Sequence, residues 1–210
     1  MLTLYMHPLA SYCWKVLVGL YETELPFVAK GVDLSDSRER AAFCALWPLG
    51  KFPVLVDGDR VIPESTTILE HLARLSGTLL SRDLDVAAET RARDRFFDLY
   101  VHEPMQKVVD DRLRPVEARD PLGVSRARGT LATAYGIVED VMSRRTWAAG
   151  ETFSLADCAA FPALYYANEV APLAPQHPAT IAYLARLQAR PSVARVLREA
   201  APFLHLFPRG

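Results

Sequence analysis

The clearest pattern of hydrophobic and polar positions lies at residues 50–63, GKFPVLVDGDRVIP. The β-branched run Val54-Leu55-Val56 and the apolar pair Val61-Ile62 are separated by Asp57-Gly58-Asp59, which favours a tight turn. Two short apolar runs around such a turn predict a β-hairpin. We expect this hairpin to extend a sheet that is begun by strands earlier in the chain.

A helix is predicted directly after the hairpin, with Glu64 and Ser65 at its N-terminus. Its apolar residues fall on one helical face: Ile68, Leu69, Leu72 and Leu75. A helix N-terminus offers free N–H donors and a partial positive charge, which suit a carboxylate ligand. The acidic side chain of Glu64 suits an amine, so the two residues together would fit the head group of an α-amino acid.

The residues before the hairpin predict two strands, each followed by a helix. Leu2–Met6 and Pro26–Val32 read as strands, and the helices are predicted after Ser11 and over Ser35–Leu46. The first two strands and the helix between them form a right-handed βαβ unit. The order β-α-β-α-β-β-α therefore fills residues 1–78, which we predict to be one domain.

Strand patterns are absent after residue 86, where long helical patterns begin. Residues 79–86 are predicted as a linker and residues 87–210 as an all-helical domain. Pro104 lies inside the helical pattern Ala87–Arg114 and predicts a kink or an irregular turn. Farther on, Ser154 and Asp157 form a capping box in its Asp form, which predicts the start of a helix.

Composition narrows the possible functions. The formal charge of −1 and the lack of a basic run argue against nucleic-acid binding, and no apolar stretch reaches the length of a membrane span. The N-terminus does not resemble a secretory signal, so we expect a cytoplasmic protein. The three cysteines are Cys13, Cys44 and Cys158, and the five histidines are His7, His71, His102, His177 and His205. Their spacing predicts no disulfide and no metal site, and we assign the histidines no role.

Four segments resemble the cytosolic glutathione transferase family: GKFPVL, PESTTILEHL, SYCWKVLVGLYE and TFSLADCAAFPAL. They resemble, in that order, the family's cis-proline loop, its Glu-Ser turn, the start of its first helix and the cap of a C-terminal helix. The resemblance covers nearly the whole chain. It implies a thioredoxin-like N-terminal domain, an all-helical C-terminal domain and a homodimer.

The resemblance also implies a binding site for glutathione as co-substrate, without a metal. Glu64 would accept the glutamyl ammonium and Ser65 would hold the glutamyl carboxylate. Phe52, before a cis Pro53, would present its backbone to the cysteinyl part of glutathione. Lys51 would reach the glycyl carboxylate as a point charge.

The chemistry requires a thiolate, and free thiols have a pKa near 8.5. By resemblance to serine-type classes, Ser11 is the first candidate to stabilise the thiolate, since it combines a hydroxyl with the free N–H groups of a helix start. Cys13 is the second candidate, and Tyr12 and Tyr5 are further hydroxyl donors. From the residues alone, a simple helix cap is the better interpretation of Ser11, and only the family resemblance favours a catalytic role.

The second substrate is expected to be a small apolar electrophile. Its predicted pocket lies between the first-helix loop and the long helix of the second domain, lined by Tyr100, Met105, Val108 and Arg112. Phe161, Tyr165 and the C-terminal tail around Phe203 to Phe207 are further lining candidates.

The sequence leaves several functions open. Glutathione conjugation comes first. A glutathione-dependent isomerase of the zeta-like, maleylacetoacetate type is an alternative, in which Arg112 would hold a substrate carboxylate. A thiol reductase would act through Cys13 alone. The fourth reading is a transferase-like interaction module without catalysis.

Overall fold

The computed structural model describes residues 1–209 and contains a four-stranded mixed sheet. The strands are β1 (Leu2–Met6), β2 (Phe27–Gly31), β3 (Val54–Asp57) and β4 (Arg60–Pro63). They are arranged in the order β2-β1-β3-β4. β1 is parallel to β2 and antiparallel to β3, and β3 and β4 form the predicted hairpin.

Three helices connect and follow these strands: α1 (Ser11–Thr23), α2 (Ser37–Leu46) and α3 (Ser65–Ser76). The predicted order β-α-β-α-β-β-α is therefore confirmed. The hairpin turn places Gly58 at a φ of 59°, in the left-handed region that glycine tolerates best. This short connection brings the end of β4 directly to the N-terminus of α3.

The rest of the described chain is helical, as predicted. It contains α4 (Leu84–Phe96), α5 (Glu103–Arg112), α6 (Pro121–Met142), α7 (Leu155–Val170), α8 (Pro178–Ala189) and α9 (Pro191–Ala200). A π-helical segment, Phe97–His102, joins α4 to α5, and 3₁₀ turns occur at Val116–Ala118 and Ala201–Leu206. Among residues 1–209, no helix combines the length and the apolar character that crossing a membrane requires.

One helix boundary differs from the sequence pattern, and one predicted irregularity takes a specific form, both for local reasons. α4 begins at Leu84 because the side chain of Asp83 accepts hydrogen bonds from the N–H groups of Asp85 and Val86. The irregularity that Pro104 predicts is the π-helical segment before it. Pro104 has no N–H to donate, and the Glu103 N–H reaches back five residues to the carbonyl of Asp98.

The predicted cap of α7 is present and anchors several elements. Asp157 Oδ2 accepts the Ser154 N–H at 2.9 Å, and Oδ1 accepts the Ala148 N–H at 2.9 Å and the Tyr183 hydroxyl at 2.6 Å. Cys158, the next residue, is fully buried. Asp157 thus holds the start of α7 to the preceding loop and to α8.

The sheet domain and the helical domain pack tightly around α1. Trp14 is fully buried and stacks on Phe161 of α7, with ring centroids 5.7 Å apart. Its indole N–H donates to the Pro8 carbonyl at 2.7 Å, and the Tyr166 hydroxyl donates to the Leu9 carbonyl at 3.0 Å. These contacts fix the loop that leads into α1.

A buried ion cluster also joins the two domains, and no local sequence pattern predicts it. Lys15 of α1 is 1% exposed, and its Nζ lies 2.7 Å from Asp94 Oδ1 and 2.9 Å from Asp98 Oδ2. Nζ also donates to Thr66 Oγ1, on α3, at 2.9 Å. One buried charge therefore connects α1, α3 and the α4 region.

Candidate functional site

The first of two adjoining clefts lies at the N-terminus of α3, and we call it the α3 cleft. Its volume is ≈ 500 Å³. Its lining comes from the start of α1, the loop before β3, the first turn of α3 and the α4–α5 region: Tyr12, Trp47, Lys51, Phe52, Pro53, Glu64, Ser65, Thr66, Thr67, Arg95, Asp98 and Glu103. The four residues that we predicted to bind glutathione by side chain or backbone, together with Pro53, are all in this lining.

The backbone of Glu64 has an unusual conformation for a residue with a side chain. Its φ is +69°, in the left-handed region, and its side chain makes no capping bond to α3. The Glu64 side chain therefore does not cap α3 and is available to a ligand in the cleft. Such a conformation at the edge of a cleft is typical of a functional site, where the surrounding structure maintains it.

The first turn of α3 supplies the cleft's capacity for anions. The N–H groups of a helix's first turn have no partner within the helix and carry the positive end of its dipole. Ser65, Thr66 and Thr67 belong to this turn, and all three line the cleft. A carboxylate placed there would meet backbone donors, while an adjacent ammonium group would meet the Glu64 carboxylate.

The loop before β3 forms the opposite wall of the cleft. The Phe52-Pro53 peptide bond is cis, which confirms the expectation that the resemblance supplied. The ring of Phe52 stacks on Phe43 of α2, with centroids 4.7 Å apart. Lys51 lines the cleft and is exposed to solvent, so its flexible side chain can reach a ligand carboxylate.

The second cleft opens between the two domains, and we call it the interdomain cleft. Its volume is ≈ 550 Å³. Its lining comes from five separate parts of the chain: His7, Leu9, Ala10, Ser11, Tyr12, Gly50, Lys51, Phe52, His102, Met105, Gln106, Val109, Asp110, Tyr166, Leu206, Phe207 and Pro208. Tyr12, Lys51 and Phe52 line both clefts, so the two are continuous.

Ser11 lies in the interdomain cleft and does not cap its own helix. Ala10 is the cap residue of α1 and makes no side-chain bond to it, while Ser11 is the first helical residue. The Ser11 side chain is 8% exposed, and its Oγ is hydrogen-bonded to Nε2 of His102. The hydroxyl is therefore placed in the cleft wall by a contact with the other domain.

Cys13 does not belong to either cleft. It is fully buried, and burial raises the pKa of its thiol to about 12. A thiol held in this neutral form is a poor nucleophile. The structure thus places the second activation candidate in the core, and it does not favour a thiol reductase that acts through Cys13.

The two tyrosine candidates are placed differently. Tyr12 lies at the junction of the clefts, and its ring is 4.0 Å from the ring of His102. Burial raises the pKa of the Tyr12 hydroxyl, so it stays neutral and can donate a hydrogen bond. Tyr5 packs against Phe43 and Lys30, and it lines neither cleft.

The structure brings only part of the predicted second-substrate set together. Met105 lines the interdomain cleft. Val108 is 2% exposed and packs in the core, and Tyr100 is 53% exposed beside Phe96. Neither residue lines the cleft. The π-helical segment changes the helical phase before Pro104, so these residues do not share the single face that a regular helix would give them.

Arg112 contacts the C-terminal tail. Its guanidinium donates to the Pro208 carbonyl at 2.9 Å, and it is not part of the cleft lining. The tail itself contributes Leu206, Phe207 and Pro208 to the cleft, and Phe207 stacks on Tyr166 at 5.2 Å. The side chain that we predicted to contact the substrate therefore holds the segment that lines the pocket.

His102 is one of several lining residues that the sequence analysis missed, and it is the one that contacts Ser11. We assigned it no role because no metal-ligand spacing surrounds it. The sequence feature that could have identified His102 is its position two residues before Pro104, because a proline inside a helical pattern makes the helix irregular there. Irregular helical turns of this type are frequent at functional sites.

Comparison with known proteins gives the same assignment for both domains. Residues 4–78 match the family model described as glutathione S-transferase, N-terminal domain, and residues 109–191 match the one for the C-terminal domain. Together these matches cover most of the chain.

Individual relatives support the same family assignment. The chain is 34% identical to FtsZ-localized protein A of Caulobacter vibrioides, over 75% of this chain and 73% of that protein. It is 31% identical to glutathione S-transferase 3 of Zea mays, over 81% of each. Among solved structures, a glutathione transferase family member from Pseudomonas fluorescens with two glutathione bound is similar, with a TM-score of 0.83 and 26% identity over 93% of this chain and 92% of that one.

The fold, the α3 cleft and these matches lead to one assignment. The relatives span enzymes named for glutathione transfer and a protein named for its localisation with FtsZ. Both named relatives align with this chain over most of its length, and the two family models match its N-terminal and C-terminal parts. This chain belongs to the glutathione S-transferase family.

Proposed function

We propose that the protein binds glutathione in the α3 cleft and transfers its thiolate to a small apolar electrophile in the interdomain cleft. The observation that carries the proposal is the lining of the α3 cleft. Glu64 and the open first turn of α3 offer an acceptor for an ammonium group beside donors for a carboxylate. A γ-glutamyl head carries both groups on one carbon.

The remaining glutathione contacts follow from the two clefts being continuous. With the glutamyl end at Ser65, the cysteinyl backbone would lie along Phe52, and Lys51 would reach the glycyl carboxylate. The thiol would then face the interdomain cleft, where Ser11 and Tyr12 offer hydroxyl groups. Either hydroxyl would stabilise the thiolate by donating a hydrogen bond to the sulfur.

The electrophile would occupy the part of the interdomain cleft beyond the thiol. Its walls are mainly apolar: Leu9, Met105, Val109, Tyr166, Leu206 and Phe207. Such a lining favours an apolar molecule, and binding of that molecule is driven by the area removed from water. Homodimer formation is also part of the proposal and rests on family likeness alone; sedimentation velocity would measure it.

A second candidate function is supported by a particular relative. The likeness to FtsZ-localized protein A favours a transferase-like interaction module as this second candidate. In that case the α3 cleft need not hold glutathione. Glutathione binding therefore separates the two candidates.

Titration calorimetry with glutathione tests the proposal. We expect the wild-type protein to bind, and a Glu64→Ala/Ser65→Ala variant to bind roughly 10- to 100-fold more weakly, since one ion pair and one hydrogen bond to the ligand carboxylate are lost. The matched control is Glu70→Ala/Ser76→Ala, which removes the same residue types from α3 outside the cleft. No binding by the wild type, or equal binding by both double variants, would refute the proposed site.

A further inference from the structure

The contact between Ser11 and His102 connects the two domains at the point where the two clefts meet. Ser11 is the first residue of α1, and His102 is the last residue of the π-helical segment. The two residues are 91 positions apart in the chain, and both are in the lining of the interdomain cleft. The direction of this hydrogen bond decides what the serine hydroxyl can do.

The His102 ring is buried and carries a single proton. Burial, and secondarily the charge of Lys15, lower the pKa of His102 to about 3. The ring is therefore neutral near pH 7, with its proton on either Nδ1 or Nε2. On the other side of the ring, Tyr12 packs at 4.0 Å and is neutral as well.

The environment of Nδ1 distinguishes the two tautomers. Nδ1 is buried and has no hydrogen-bond partner among the described residues. A proton on Nδ1 would leave a buried N–H donor unsatisfied, which proteins rarely tolerate, whereas a bare ring nitrogen without a partner costs less. The proton therefore belongs on Nε2, which faces Ser11 Oγ.

We propose that His102 is a positioning residue that donates from Nε2 to Ser11 Oγ and thereby leaves the Ser11 proton free for a sulfur atom in the interdomain cleft. With the opposite tautomer, the serine would donate to the histidine and the sulfur would lose its donor. A hydroxyl that accepts one bond is also a stronger donor in the next. The proposal rests on the proposed function, because it requires a glutathione thiol at Ser11.

No covalent step occurs at His102 or Ser11. When the bound thiol ionises, its proton leaves to bulk water and the S–H electron pair stays on sulfur. Ser11 keeps its proton and shares it with the thiolate, and His102 keeps its own. Two charged groups are close to His102: Lys15, whose charge helps to lower the pKa of the ring, and Glu103, which is next to it in sequence. Neither takes part in these two hydrogen bonds.

The test measures the apparent pKa of the bound glutathione thiol, from its thiolate ultraviolet absorbance across pH, in the full chain. We expect His102→Phe to raise this pKa by about one unit, which is tenfold less thiolate at a given pH. The glutathione Kd should change little, because the α3 cleft is intact. His102→Gln, whose amide nitrogen can replace Nε2, should restore much of the wild-type pKa.

Two further variants complete the experiment: Ser11→Ala, and a control substitution at a second histidine. Ser11→Ala should raise the thiol pKa as His102→Phe does, and the double variant should show no further rise. The control is His177→Gln, since His177 also has a buried Nδ1 without a partner but lies outside both clefts. A raised pKa in Ser11→Ala with a wild-type pKa in His102→Phe would overturn the role of His102 and leave the proposed function standing.

A measurement on the wild-type chain decides the tautomer even if a variant does not fold. Nitrogen-15 NMR of the His102 ring should show a protonated Nε2 and a bare Nδ1. A protonated Nδ1 would overturn the proposal whether or not glutathione binds. Absence of glutathione binding, by contrast, would refute the proposed function.

Discussion

The α3 cleft and the interdomain cleft adjoin each other but are assembled in different ways. The residues that give the α3 cleft its chemistry, Lys51 to Pro53 and Glu64 to Thr67, are close in sequence and are held by one hairpin. The interdomain cleft takes its chemistry from Ser11, His102 and the C-terminal tail, which only the packing of two domains brings together.

This difference in assembly determines how mutations elsewhere in the chain affect the two clefts. A site formed by a hairpin and the following helix keeps its geometry as long as that local unit is folded. A site formed between domains also depends on everything that fixes the domains against each other. The predictions below therefore act first on the domain contact, then on one side chain of the interdomain cleft, and finally on its tail.

The largest effect is expected for Lys15→Met. The change leaves Asp94 and Asp98 buried without their shared cation, so we expect the free energy of unfolding to fall by roughly 3–5 kcal/mol. Chemical denaturation measures this loss. The matched control is Lys107→Met, which breaks a partly exposed pair with Asp120 and should cost at most about 1 kcal/mol. Equal losses in the two variants would show that the buried cluster does not hold the domains together.

An intermediate effect is expected on the pH dependence of the free energy of unfolding, at acid pH. Because the folded pKa of His102 is about 3 and its ordinary value is 6.5, the unfolded chain takes up a proton in this range that the folded protein excludes. Stability from this residue is thus complete above about pH 6.5 and falls by up to about 1.4 kcal/mol per pH unit as the pH drops toward 3.

Removing the titrating ring should flatten that part of the profile. We expect His102→Phe and His102→Gln to lose stability less steeply than the wild type between about pH 6.5 and 5 in urea denaturation. The raised pKa of Asp98, caused mainly by burial, has the opposite effect, but Asp98 is present in all three proteins. Identical slopes would mean that His102 titrates normally in the folded protein.

The smallest effect is expected for Arg112→Ala. Without the bond to the Pro208 carbonyl, the tail should be less well held over the interdomain cleft. A loss of about 1 kcal/mol would raise the KM for an apolar electrophile roughly fivefold, while the Kd of glutathione in the α3 cleft stays the same. Steady-state kinetics with a varied electrophile measure this split.

Arg114→Ala is the matched control for the tail, because Arg114 is exposed and lies outside the cleft lining. It should leave both constants at their wild-type values. A change in the glutathione Kd of Arg112→Ala would contradict the separation of the two clefts. An unchanged KM would show that the tail stays in place without this bond.

The contrast between the clefts also explains which predictions from sequence were accurate. Residues 50–72 predicted a hairpin, a helix start and the polar groups between them, because every signal there is local. The capping box at Ser154 and Asp157 was recognised for the same reason. The position of Cys13 required knowing which face of α1 meets the sheet, and Val108 and Tyr100 required knowing the phase of a helix interrupted before Pro104.

Local sequence patterns were enough to predict the order of the strands and helices, the change to an all-helical second half, and the polar groups at the start of α3. These features depend on periodicity, turn residues and caps, whose physics extends over a few residues. The packing of the two domains, by contrast, buries the Lys15 cation, brings Ser11 to His102 and places the tail along a cleft. Burial, charge pairing and hydrogen-bond direction between distant segments depend on how two domains pack, and no local pattern encodes that.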